Sequence, residues 1–367
     1  MSNIILFGGA FDPVHYGHIN MAERASEFLD ADVIFIPAAI SVWKKESIAP
    51  EHKVNMLELA IKESKLRNRF SVSGYEIRKN VDDYCYSVDT IRHFYKKFPK
   101  DKLFLLIGQD QVNKFHLWKE PDEIANMAQI DYFGRLNEEK ESENIEKYHM
   151  IPISGEINDI SSTGIRELKD LGTYDSVIKY IIENDLYFMR KIKETMTTQR
   201  YEHSKRVGLL SYEIAKSNNY KDAKKVLIAG LLHDLGKIRP EYEKESFKII
   251  EEKHPDYLDL PKPIWHQVIG VDKAKEMFGI EDKEILEAIE FHTTGNANMG
   301  DIAKIVYAAD KIEPGRNFDS RSLIDTMKCS ITDGFVTVLK ANIEFFESKK
   351  QEYKNRLTLA CIDYYLK

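Results

Sequence analysis

The chain has 367 residues, of which 43% are apolar and 31% charged, values of a folding globular protein long enough for two cores rather than one. A net charge of −7 excludes a global basic field for nucleic acid, so any phosphate ligand must be held by local donors or metals. Cys85, Cys329 and Cys361 are far apart and odd in number, which excludes a disulfide framework and a cysteine metal knuckle and points to a reducing compartment. The longest apolar run, residues 226–232, is far too short for a membrane span, and no basic leader precedes the first strand pattern. A cytoplasmic protein without membrane or nucleic-acid partners is expected.

In chain order, apolar runs at residues 4–7, 33–37, 103–107 and 130–133 read as buried strands, alternating with helical patterns such as 21–29 and 54–61. Alternation of this kind predicts an α/β domain over residues 1–188, Rossmann-like, with a parallel sheet and helices on both faces. The polar stretch 137–147 reads as a surface loop or exposed helix. From about Met189 the strand signal stops and apolar residues recur with helical spacing through Val207, Leu210, Ile214, Leu227, Leu231, Leu235, Ile285 and Ile289. An all-α helical bundle is predicted over 195–367, with the boundary in the charged stretch 190–194 and a continuous helix as one way of joining the halves.

The first strand runs into Gly8-Gly9-Ala10-Phe11-Asp12-Pro13-Val14-His15-Tyr16-Gly17-His18. Glycines at that turn let the backbone approach an anion, and the helix start beyond them offers unpaired N–H groups. His15 and His18, three apart, lie on one face where both can donate to phosphoryl oxygens. The plainer reading is a tight turn followed by capping or core histidines. A second string, Ile160-Ser161-Ser162-Thr163-Gly164-Ile165-Arg166-Glu167, puts hydroxyls at a helix start, Ser162 being a reasonable N-cap, with Arg166 one turn in. Capping and a grip on phosphate are compatible there.

The helical half offers His203, His233, Asp234, His266, His292 and Asp310. Neutral imidazoles and carboxylates suit iron, manganese or zinc, and a mixed set suits two metals. His203 lies four before Val207 and Asp234 three after Leu231, so each falls near its helix's apolar face.

The glycine string resembles the GGxFDPxHxGH signature of nucleotidyltransferases, and the second string resembles the ISSTxIR signature that closes their site. Together they resemble bacterial nicotinate-nucleotide adenylyltransferases over 1–188. This resemblance implies in-line attack by nicotinate mononucleotide on ATP, with Mg2+ neutralising charge and no covalent enzyme intermediate. It implies that His15 and His18 stabilise the transferring phosphate beside Gly8, Gly9, Ala10 and Phe11, while Ser162, Thr163 and Arg166 hold the departing pyrophosphate. It further places Gly108 and Asp110 by the adenosine, Lys44 among the phosphate ligands, and Ser87 and Trp118 at the nicotinate.

The second constellation resembles the H…HD…D pattern of the HD phosphohydrolase superfamily. With His266, the string Phe291-His292-Thr293-Thr294-Gly295 and residues 309–316, it resembles the HD hydrolases that split diadenosine tetraphosphate symmetrically into two ADP. The resemblance implies two divalent metals, Fe or Mn. His203, His233, Asp234 and Asp310 would hold one, and Asp234 would bridge to a second held by His266 and His292. Lys237 and Arg316 would offset phosphate charge, Asp234 and Lys237 acting in catalysis. A bifunctional enzyme of small-molecule nucleotides is therefore expected. An HD domain acting on another nucleotide or sensing one, and homo-oligomerisation, are left open.

Overall fold

The computed structural model describes residues 2–39, 48–78, 85–134, 142–155, 160–237 and 243–367. It divides into two compact units, Met1–Leu186 and Tyr187–Lys367. Lys44 lies outside the described residues.

In the first unit the predicted strands are β1 (Asn3–Gly9), β2 (Asp32–Pro37), β4 (Lys102–Gly108) and β5 (Gln129–Gly134). Two strands not predicted, β3 (Phe70–Val72) and β6 (Ile151–Ser154), complete a six-stranded sheet of order β3-β2-β1-β4-β5-β6, every described pairing parallel. Helices α1 (Tyr16–Leu29), α2 (Pro50–Glu63), α3 (Ser87–Lys97), α4 (Gln109–Val112), α5 (Pro121–Met127), α6 (Glu143–Lys147), α7 (Ser162–Arg166) and α8 (Asp175–Glu183) connect or follow them.

Side chains alternate across a strand, so each sheet face has its own core. Ile4, Leu6, Ile36, Leu103, Leu105, Ile107 and Ile130 pack with Val88, Ile91 and Phe94 of α3 and Ile124 of α5. The opposite face carries Phe7 and Phe35, whose rings meet each other at 5.6 Å and also meet Phe11 and Phe70. The fold is thus a Rossmann-like α/β layer structure. Strand order reverses between β1 and β4, and the crevice beyond the carboxyl ends of that pair is where open parallel sheets bind ligands.

The second unit is helical: α9 (Phe188–Glu194), α10 (Thr198–Ser217), α11 (Ala223–Leu232), α12 (Glu243–Lys253), α13 (His266–Phe278), α14 (Lys283–Phe291), α15 (Asp301–Ile312), α16 (Arg321–Cys329), α17 (Ile331–Ser348) and α18 (Arg356–Leu366). A continuous helix, one way of joining the halves, is not the one found. Helix α8 ends at Glu183, and Asp185 and Tyr187 take positive φ values of 52° and 54° before α9 begins. The charged stretch 190–194 belongs to α9, which buries Phe188, Met189 and Ile192. Helices α10 and α11 approach closely because Gly208 faces Gly230; a β-carbon on Gly230 would lie 2.8 Å from Gly208 Cα.

Candidate active sites

In the first unit, β1 ends in Gly8 and Gly9, and a β-carbon on Gly8 would meet nothing within 4 Å. The backbone there is open to a ligand. A β-carbon on Gly9 would instead lie 2.9 Å from the Phe11 ring, so glycine lets Phe11, at φ 46°, fold back over the turn. The chain enters α1 with His15 as its N-cap. The Nδ1 of His18 accepts the His15 backbone N–H at 3.2 Å, and the two rings lie 3.7 Å apart. Because Nδ1 is an acceptor, neutral His18 carries its proton on Nε2. Burial holds His15 down at about 4; burial and then His15 hold His18 well below the ordinary imidazole value. Both rings are neutral at physiological pH. The buried Nδ1 of His15 has no protein partner.

The two sequence-distant strings meet at this place. Ser162 Oγ donates to the Pro13 carbonyl at 2.9 Å across 149 residues, and the Arg166 guanidinium donates to the Asp12 carbonyl and to Thr163 Oγ1 at 2.7 Å. The cap of α7 is not Ser162: Ser161 Oγ accepts the Gly164 N–H at 3.0 Å. Ser162 is the first helical residue, and its side chain is turned to the Asp12–Pro13 loop.

Gly108 ends β4, beside β1, and a β-carbon there would stand 2.7 Å from Asp110 Oδ1, so the glycine allows Asp110 to fold back over the strand end. Ser87 begins α3 next to exposed Tyr86, whose ring lies 4.3 Å from Lys119 Nζ. Half-buried Trp118 packs on Phe115 at 5.1 Å, so Ser87 and Trp118 belong to neighbouring segments.

In the second unit all six candidate ligands converge. His203 projects from the second turn of α10, His233 and Asp234 follow the last turn of α11, His266 opens α13, His292 caps α14, and Asp310 sits near the end of α15. Asp234 Oδ1 lies 3.7, 3.6 and 3.4 Å from the Nε2 atoms of His233, His266 and His292. Asp310 Oδ1 lies 3.0 and 3.8 Å from those of His203 and His233. Two sets, His203/His233/Asp310 and His233/Asp234/His292, each bring their ligand atoms within 4.8 Å of one another.

The hydrogen bonds on the far side of each ring fix the tautomers. Nδ1 of His233, His266 and His292 faces the carbonyls of Gly230, Pro263 and Ile289, each at 2.7 Å. A carbonyl only accepts, so each Nδ1 carries the proton and each Nε2 offers a lone pair inward. His266 and His292 then point two bare nitrogens at each other 3.0 Å apart. Buried His233 Nε2 and Asp234 Oδ1 have no hydrogen-bond partner. Acceptors crowded on acceptors in a buried space are what a cation would relieve, and this donor set of imidazole and carboxylate fits divalent transition metals.

Burial raises the Asp234 carboxyl; the protonated forms of His233 and His292, and Lys237, oppose it and hold it well below the usual range. Asp310 is likewise held low against burial, by Lys311, His203 and His233. His233 is pushed down to about 4 and His266 well below its ordinary value, chiefly by burial. Lys237 Nζ lies 2.9 Å from Asp234 Oδ2 and stays partly exposed. Arg316 is turned onto Asp310, donating to its carbonyl at 3.0 Å and to Oδ1 at 2.9 Å.

Three partners were not singled out from the sequence. Gln267 Oε1 accepts the N–H groups of Thr293 and Thr294 at 2.9 and 3.0 Å, anchoring the turn after His292. Half-buried Lys311 donates to Asp310 Oδ2 at 3.0 Å and to the His292 carbonyl. Glu313, 2% exposed, faces His203 Nδ1 at 3.1 Å and is clamped by Arg206 at 2.6 Å. None of the three carries a sequence signal of its own; only the clamp is local, Arg206 standing one helical turn after His203.

Comparison with known proteins matches the first half to the cytidylyltransferase-like family over residues 6–168 and the second to the HD domain over residues 200–315. A Mycoplasma genitalium protein named "Probable nicotinate-nucleotide adenylyltransferase/Ap4A hydrolase" is 29% identical over 92% of this chain and 97% of its own length. A Clostridium botulinum protein named "Probable nicotinate-nucleotide adenylyltransferase" is 36% identical over 51% of this chain and its entire length. A Clostridium acetobutylicum crystal structure, described as a predicted HD superfamily hydrolase involved in NAD metabolism, is 30% identical with a TM-score of 0.44, over 48% of this chain and 96% of that one. An HD domain implies divalent metal binding, which the six converging ligands match. Among the described residues no helix is long and apolar enough to cross a membrane. The chain belongs to the nicotinate-nucleotide adenylyltransferase family, with an HD domain following the transferase half.

Proposed function

We propose that the chain is a bifunctional enzyme of nucleotide metabolism. Residues 1–188 would transfer AMP from ATP to nicotinate mononucleotide, releasing pyrophosphate, and residues 195–367 would hydrolyse diadenosine tetraphosphate to two ADP. The observation that carries the first activity is the junction of Ser162 with Pro13, which brings two distant strings together beyond the β1/β4 crevice. The second activity rests on inward-facing lone pairs from three histidines, with His203 beside them, around Asp234 and Asp310.

In the transferase, the acceptor's phosphate oxygen would attack the α-phosphorus of ATP as the bond to pyrophosphate breaks, so the protein's task is positioning and charge stabilisation. His18 Nε2–H is a donor whose direction is fixed by the Nδ1 contact with His15. It would meet charge that grows in the transition state, with His15 beside it. Gly8, Gly9, Ala10 and Phe11 would let the backbone approach the phosphates, with Lys44 also on them. Ser162, Thr163 and Arg166 would face the departing pyrophosphate, Gly108 and Asp110 the adenosine, and Ser87 and Trp118 the nicotinate. Mg2+ bound with ATP would neutralise phosphate charge.

In the hydrolase, His203, His233, Asp234 and Asp310 would hold one metal and Asp234, His266 and His292 a second, iron or manganese by the chemistry of the donors. Metals so bound would supply Lewis acidity to a phosphate and a more acidic water. Lys237, partly exposed beside Asp234, would attract the polyphosphate chain. Arg316 would hold Asp310 in place and offer its remaining N–H groups to phosphate.

Incubating the purified protein with ATP and either nicotinate or nicotinamide mononucleotide, and separately with diadenosine tetraphosphate and Mn2+, then identifying products by mass, tests both halves. Deamido-NAD formed in preference to NAD, and ADP as the sole product of the tetraphosphate, are expected. Faster turnover of the amide, or no ADP, would overturn the respective half.

A further inference from the structure

The four metal-facing histidines are not oriented in the same way. His233, His266 and His292 each donate Nδ1–H to the carbonyl three residues earlier. That carbonyl is free because each of these histidines stands at a helix end, where carbonyls lack an intrahelical partner or the helix has not yet begun. His203 is the sixth residue of the 20-residue helix α10, where the carbonyls behind it are occupied by the helix itself. It therefore needs a side-chain acceptor, and the chain supplies Glu313, at 3.1 Å, from the residue just past α15. Glu313 is 2% exposed. Its other oxygen is fixed by Arg206 Nε at 2.6 Å and by the Gly315 N–H, and Arg206 leaves α10 one turn after His203. One imidazole of the four is thus backed by an anion, and the other three by neutral carbonyls.

We propose that Glu313 is the positioning residue of His203 and sets the metal affinity of the His203/His233/Asp310 position, leaving the position around Asp234, His266 and His292 unaffected. A carboxylate behind a ligating imidazole fixes its ring and makes it a stronger donor, and losing such a partner typically lowers metal affinity ten- to a hundredfold. Glu313 touches none of the other three histidines, so its effect is confined to one position. The inference rests on the two-metal reading of this site.

The test is stepwise binding of Mn2+ to metal-depleted full-length protein, followed by electron paramagnetic resonance and calorimetry, for the wild type, Glu313→Gln, His203→Ala and the double variant. Glutamine keeps the shape and hydrogen bond but removes the charge. Two equivalents should bind the wild type; in Glu313→Gln one class should weaken at least tenfold and the other stay within twofold. If Glu313 acts through His203, adding Glu313→Gln to His203→Ala should weaken Mn2+ binding no further. Equal weakening of both classes, unchanged binding, or additive effects would overturn the proposal, whereas a wild type that binds no Mn2+ would overturn the two-metal reading itself. Should Glu313→Gln fail to fold by circular dichroism, Arg206→Met removes the clamp on Glu313 instead and should weaken the same class, by less. A selective loss confined to the other class would also overturn the assignment.

Discussion

A β-carbon placed on Gly236 would lie 1.9 Å from the carbonyl oxygen of His266 and 2.4 Å from the Gly270 amide nitrogen. The turn after Asp234 therefore rests directly on the backbone of α13, and glycine is what lets the Asp234 and His266 segments come together.

Gly236→Ala should force those backbones apart. Overpacking typically costs about 1–3 kcal/mol, and here the obstacle is backbone rather than a flexible side chain, so the upper part of that range is expected. Calorimetry should show a melting temperature lower by roughly 5–10 °C for the helical unit, with bound metal much reduced. A variant that keeps its melting temperature and its metal would show that α13 yields at no cost.

His18→Ala should lower adenylyl transfer by about a hundredfold, corresponding to roughly 3 kcal/mol for one lost donor aimed at developing charge. The KM for ATP should change only a few-fold, because the interaction forms mainly in the transition state. The variant also loses the acceptor for the His15 N–H, a capping role worth about 1 kcal/mol, so a small fall in melting temperature should accompany the rate loss. A fall in stability with turnover retained would show that His18 is a cap alone.

The glycine string and the ligand histidines were readable because their chemistry needs particular residues at particular spacings. The strands at 4–7, 33–37, 103–107 and 130–133 are readable because each is a short, mainly apolar run, with Asp131 the one charged member among them. Strand β3 has three residues and β6 has four, including Pro152, with Ile151 40% exposed, so neither edge strand carries a run long enough to register. Ser161, not Ser162, caps α7; the two are chemically equal in sequence, and only the position of the Pro13 carbonyl separates them. Glu313 and Gln267 are not legible in sequence, because a supporting hydrogen bond has no spacing rule when its partners are 110 and 26 residues away.

Asp131 gives a prediction about pH. It is fully buried on β5, both carboxylate oxygens lack a hydrogen-bond partner, and burial pushes its carboxyl up to about 7, opposed weakly by Lys102. The native state thus binds a proton that the unfolded chain, near 3.8, has already released. Stability of the first unit should fall as pH rises from about 4 to about 7 and level off above it. Asp131→Asn should remove that slope and raise stability at pH 8. Denaturant titrations of both proteins at pH 5 and 8 check this; equal slopes would mean that the carboxyl is not the titrating group.

Asp234→Ala separates the two chemistries. Asp234 Oδ1 stands within 3.4–3.7 Å of three imidazole nitrogens, the position proposed to join the two metals. Removing it should abolish stoichiometric binding of the metal pair and hydrolysis of diadenosine tetraphosphate together, because the charge clamp on phosphate depends on both ions. Adenylyl transfer should survive, since the residues proposed for it lie within Met1–Leu186, which has its own core. Alanine also relieves a buried carboxylate and leaves Lys237 without its partner, so circular dichroism and melting temperature must accompany the assays. Metal content and both activities on the same folded sample decide the matter. A metal-free variant that still forms ADP would overturn the two-metal mechanism, and loss of adenylyl transfer in a folded variant would show that the two units are functionally coupled.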